Sequence, residues 1–157
     1  MRKRLISPAP QQTAPPGQDW LNVEELAEVE ITSENAAYPI EGALLSSGVS
    51  GWRAGEAATQ TIRLHFIHPQ RLRQIWLKFE ETSQERTQEY VLRWSADRGQ
   101  SFKEIVRQQW NFSPQGATVE TEDHHVELPA ATVLELVIIP DTRGGQAVAS
   151  LEHLRLA

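Results

Sequence analysis

The run Tyr90-Val91-Leu92-Arg93-Trp94-Ser95-Ala96-Asp97-Arg98-Gly99-Gln100-Ser101-Phe102 decides the fold class. Tyr90, Leu92 and Trp94 alternate with Val91 and Arg93. A period of two puts each set on its own face, the mark of a half-buried strand. Asp97-Arg98-Gly99-Gln100 then reads as a hairpin turn between two strand runs, with Gly99 taking positive φ.

The same pattern extends along the chain in both directions. Ile62, Leu64 and Phe66 alternate with Thr61, Arg63 and His65. Ile75, Leu77 and Phe79 alternate with Trp76 and Lys78, and Val126 and Leu128 form a shorter example. Val133–Ile139 is apolar on both faces and predicts a central strand. Leu154 and Leu156 predict a closing strand. Pro69, Pro129 and Pro140 fall at strand edges, where a missing N–H costs little. One short helical turn is expected over Trp20–Leu26, capped by Asp19. Short strands with turn signals argue an all-β, antiparallel sandwich or barrel.

Composition sets the bounds. The chain has 157 residues, which suits one domain with one core. At 39% hydrophobic and 23% charged it is too apolar for general disorder. Residues 1 to 18 differ: four prolines and three glutamines predict a disordered Pro-rich tail, with the domain spanning 19–157. The net charge is -6 with Arg and Glu interleaved, so the basic stripe that a nucleic-acid binder needs is missing. No stretch has the ~20 apolar residues that span a bilayer. There are no cysteines, which excludes thiol catalysis and Cys-ligated metals. Met1-Arg2-Lys3-Arg4 is not followed by an apolar signal region, so a cytoplasmic protein is expected.

At this point the chain resembles the discoidin, or coagulation factor 5/8 type C, family of galactose-binding-like β-sandwiches. Ile31-Thr32-Ser33-Glu34 resembles the family's opening strand and Ser-rich turn. Pro39-Ile40-Glu41-Gly42-Ala43-Leu44 resembles its small Asp-Gly loop, with Glu41 in the acidic place. Gly51-Trp52 resembles the Trp before its second strand, and Tyr90–Phe102 its strand, hairpin and aromatic. Val133–Ile139 and Ala149–Leu156 resemble its closing pair. The likeness covers about residues 26–157 and is strongest to small standalone bacterial members described as carbohydrate-binding. It implies a jelly-roll sandwich that binds a ligand through loops at one end. It also implies, from relatives that hold a structural calcium, that Glu41 and Glu152 pair on Ca²⁺, a cation that takes oxygen ligands. Two separate surface charges are the alternative.

Several residues carry the chemistry of a sugar site. Arg107-Gln108-Gln109-Trp110-Asn111-Phe112-Ser113-Pro114 follows a strand and ends at proline, which predicts a loop. There Trp110 would stack on a sugar face while Arg107, Gln109 and Asn111 hydrogen-bond its hydroxyls. The plain alternative is that Trp110 and Phe112 plug the end of the sandwich. Arg86 and Gln88 at the start of the next-door strand would line one side. Arg53, after the Ser/Gly-rich loop 46–51, would reach the ligand from a third segment. His124 and His125 are adjacent in a strand-like run, so they point to opposite faces and cannot share a metal. Neither a Gly-x-Ser-x-Gly elbow nor a His-Glu-x-x-His helix is present. The expected function is therefore a non-catalytic module for carbohydrate or another polyhydroxylated ligand, with a cytoplasmic protein-interaction adaptor as the alternative. A concave polar site with one exposed aromatic would favour the first, and a broad apolar patch the second.

Overall fold

The computed structural model describes residues 19–45 and 51–157. The expected tail over 1–18 and residues 46–50 of the Ser/Gly-rich loop lie outside the described residues. The elements, in order, are α1 (Val23–Leu26), β1 (Ala27–Ile31), α2 (Glu41–Leu44), β2 (Trp52–Arg53), β3 (Gln60–Glu80), β4 (Arg86–Ser95), β5 (Lys103–Phe112), β6 (Val119–Ile139), β7 (Ser150–Leu151) and β8 (His153–Leu156). All strand pairs are antiparallel.

Two strands make both layers of the sandwich. β3 and β6 are each 21 residues long and pair along most of that length. Their ladder shifts register between His65 and Gln74, next to Pro69 and Pro129. Missing N–H groups and bulges let the pair bend there. Before the bend Gln60–His65 pairs with Val133–Ile138, and this half joins β1, β4 and β5. After it Gln74–Glu80 pairs with Val119–His125 and with β8. The short runs expected as separate strands are thus halves of long ones.

The core fills the space between the halves. Ile62, Leu64, Phe66, Leu134, Leu136 and Ile138 point in from one side, and Ile75, Leu77, Phe79, Leu154 and Leu156 from the other. Rings of Phe79 and Tyr90 meet across the gap at 5.2 Å. Val133–Ile139 is central, as its apolar faces require. The Asp97 turn closes β4 onto β5, with Gly99 at φ 89° and Arg98 at φ 61°. Hydrogen bonds from Ser101 and Ser95 hold the Asp97 carboxyl down to about 2.

Two helical expectations need correction. The first turn is only four residues and starts from Asn22, without the side-chain cap expected from Asp19. A second turn, α2, forms where only a loop was expected; its Gly42, Ala43 and Leu44 are buried and packing holds it. No helix among the described residues is long and apolar enough to cross a membrane.

Leu77 is fully buried between the layers. Leu77→Ala is expected to destabilise the domain by about 2–5 kcal/mol, read from denaturant midpoints at unchanged slope.

Candidate functional site

A polar cleft opens at the end of the sandwich where β3 passes into β4. Its volume is about 420 Å³. Tyr38 and Arg53 form one wall, Glu80 to Gln84 another, and Val148, Ser150 and Glu152 a third. The walls come from four separate segments, and backbone hydrogen bonds tie them together. The Arg53 N–H donates to the Tyr38 carbonyl at 3.1 Å, and the Asn35 N–H donates to the Arg53 carbonyl at 2.9 Å. Ala54 N–H reaches Ala149 O at 2.9 Å, and Glu152 N–H reaches Lys78 O at 2.8 Å. Trp52 is 1% exposed and packs beneath, its indole N–H donating to Ser33 O at 3.1 Å. Gly51 is required at the floor: a Cβ there would lie 2.7 Å from Leu151 O.

The side chains in the cleft are partly fixed in advance. The Arg53 guanidinium lies 4.0 Å from the centre of the Tyr38 ring, a cation–π contact that orients its donors. Burial and then the charge of Glu80 push the Glu152 carboxyl up from its usual range. Burial also works against ionisation of Glu81, yet the Ser83 N–H and the Arg86 guanidinium outweigh it and hold Glu81 below its usual range. The arrangement offers donors (Arg53, Thr82, Gln84), the hydroxyl oxygens of Ser83 and Ser150 and carboxylate acceptors around a half-buried tyrosine. It can hold a hydroxylated ligand by hydrogen bonds and ring contact.

Arg86 braces this cleft from inside. Its side chain is wholly buried. It donates to Glu81 Oε1 at 2.8 Å, to Pro140 O at 2.9 Å and to Gln88 Oε1 at 3.1 Å. It also sits 4.9 Å from the centre of the Phe112 ring. Gln88, equally buried, passes the network to Glu120 Oε1 at 3.3 Å. Beyond it Tyr90 and His124 are joined at 2.7 Å. Burial drives the Tyr90 hydroxyl up and the His124 imidazole down.

The expected site residues therefore part company. Arg53 lies in the cleft. Arg86 and Gln88 cannot line a ligand surface, because both are buried and bonded within the protein. The expected loop at Arg107–Pro114 is strand β5 as far as Phe112, paired with β4 from Arg86 to Trp94. Strand alternation then splits the set. Arg107, Gln109 and Asn111 face solvent, whereas Trp110 turns inward onto the core with its indole Nε1 buried. Arg107 pairs with Glu104 at 3.0 Å, and Asn111 accepts from Thr87 at 2.7 Å. Trp110 thus shares no surface with the residues expected to help it.

The two residues expected to pair on calcium border different grooves. Glu41 borders a separate groove of about 180 Å³ with Val23, Val29 and Leu44, while Glu152 lines the cleft. Among the described residues no group of three or more His, Asp or Glu side chains comes together to hold a metal. His124 points inward to Tyr90, and His125 faces solvent beside Asp123. Sequence reasoning missed Tyr38, Thr82, Ser83, Gln84 and Ser150. The available signal was the polar run Glu80–Glu85 between two apolar strand runs, which marks a loop tip.

No family model matches the chain, and no curated protein does. Solved structures do. The family 32 carbohydrate-binding module of Clostridium perfringens NanJ, solved with galactose, matches at a TM-score of 0.63 and 15% identity, over 87% of this chain and 96% of that one. CpGH89CBM32-5 from Clostridium perfringens, solved with GalNAc-β-1,3-galactose, gives 0.60 and 19%, over 88% and 99%. The family 32 module of AlyQ, solved with 4,5-unsaturated mannuronic acid, gives 0.61 and 12%, over 84% and 95%. The chain thus has the galactose-binding-like jelly-roll fold of the family 32 carbohydrate-binding modules.

The buried network gives a pH-dependent prediction. Burial, and then the charge of Glu122, push the Glu120 carboxyl up to about 8 from an ordinary 4.5. A folded-state pKa above the unfolded value means the folded chain holds the extra proton. The Glu120 contribution is fully present below about 4.5 and is lost as pH rises through about 8. Glu120→Gln is expected to flatten the decline in stability over that window, measured by urea unfolding at a series of pH values. An unchanged pH profile in the variant would show that Glu120 titrates normally.

Proposed function

We propose that the protein is a non-catalytic carbohydrate-binding module, with its ligand in the cleft between Arg53 and the Glu81–Gln84 turn. The observation that carries this reading is the Tyr38–Arg53 wall: an aromatic ring with a guanidinium fixed over it, set in a concave polar surface. A pyranose presents apolar C–H faces and a rim of hydroxyls, and this cleft offers a counterpart to each. A rigid sandwich holding such loops keeps the ordering cost of binding low.

The relatives of the same fold support the class of ligand and leave its kind open. They were solved with neutral sugars and with an acidic one. The adaptor alternative would call for a broad apolar face. Among the described residues the exposed large hydrophobics are Val29, Ile67 and Val148, of which Val29 lies on β1, Ile67 at the bend of β3 and Val148 at the cleft.

Thermal unfolding against a panel of sugars tests the reading. A ligand at about 100 times its dissociation constant adds about 2.7 kcal/mol, or roughly 5–10 °C in Tm. At least one sugar is expected to give such a shift, and Arg53→Ala is expected to abolish it. Gln109→Ala, on the far face of β5, is expected to leave it intact. A shift lost in Gln109→Ala and kept in Arg53→Ala would move the site to β5. No shift with any sugar would refute the carbohydrate reading.

A further inference from the structure

The charges in the cleft go further than its shape. Glu80, Glu81 and Glu152 all line it, against one lining arginine, Arg53. Glu81 is spoken for: Arg86 neutralises it at 2.8 Å, and Ser83 donates to it twice. Glu80 and Glu152 are different. Among the described residues no hydrogen bond to a side-chain oxygen, and no ion pair, holds either carboxylate. Each is only partly exposed, and the two act on each other through space. The other cations near them are constrained. Lys78 is 1% exposed and acts on Glu152 through space, and Arg53 is laid against Tyr38.

We propose that this cleft discriminates by charge, taking neutral and amine-bearing saccharides and rejecting uronates and other acidic sugars. The inference rests on the carbohydrate reading of the same cleft. Two free carboxylates accept hydrogen bonds from sugar hydroxyls, and they accept them more strongly from an ammonium. A sugar carboxylate supplies no donor to either and must lie beside both. One that reached Arg53 would enter the field of Glu80 and Glu152, because Glu152 already feels the Arg53 charge. Repulsion at a few ångströms in a partly hydrated cleft is enough for discrimination of about tenfold or more. Salt should weaken it, because the cleft is open to ions.

The test is binding of six defined probes, the methyl glycosides of galactose, galactosamine, galacturonic acid and their gluco counterparts. It uses protein-observed NMR titration slightly below neutral pH. Within the series that binds, the amine is expected to bind tightest and the uronate at least about tenfold weaker than the neutral sugar. Glu80→Gln with Glu152→Gln is expected to narrow the spread between amine, neutral sugar and uronate, mainly by admitting the uronate. Added salt is expected to narrow it in the wild type only. A uronate that binds as well as the neutral sugar would overturn the charge rule and leave the carbohydrate reading standing. The same holds for a ranking unchanged in the double variant. No binding by any probe would remove the carbohydrate reading, and this inference with it.

Discussion

The bent ladder between β3 and β6 is the constraint from which the rest follows. One pair of strands supplies the middle of both layers, and its register on each side of the bend fixes the inner face of that layer. A slip of one residue before the bend would turn Ile62, Leu64 and Phe66 outward, and one after it Ile75, Leu77 and Phe79. Pro69 and Pro129 sit where that ladder lapses, so the bend sacrifices few hydrogen bonds. The same ladder fixes where β3 ends, at Glu80, and so where the turn to β4 must form the cleft wall.

The wall needs a second device, because a loop tip has little apolar surface with which to hold itself. The buried Arg86 supplies it, linking the Glu81 turn, the Pro140 carbonyl and Gln88. A buried guanidinium is costly unless its donors are met, and here carboxylate, carbonyl and amide oxygens meet them. The geometry of the cleft wall and stability are therefore coupled at one wholly buried residue. Arg53 works in the opposite way: it is exposed, held by Tyr38 and free to donate.

Much of this was legible in the sequence. Period-two alternation in Tyr90–Trp94 and Ile62–Phe66 gave strands with the right faces, and Asp97–Gln100 gave the turn. The bends were not legible, because proline marks an edge and a bend alike, and only pairing distinguishes them. β5 was misread because Gln108 sits on its inner face with Val106, Trp110 and Phe112, so hydrophobicity does not alternate cleanly there. Arg86 and Gln88 look like surface residues in composition, and only their partners from distant segments explain their burial. Of the expected site residues, Arg53 alone lies in the cleft with a free donor group. The other walls are assembled from segments far apart in the chain, which no local motif encodes.

The most direct test of the central claim is a map of backbone amide shifts as galactose is titrated into the labelled protein. The account predicts perturbations clustered at Tyr38, Arg53, Thr82, Ser83, Gln84 and Ser150, with the solvent face of β5 still. Perturbations centred on Gln109 and Asn111, with the cleft unmoved, would contradict it.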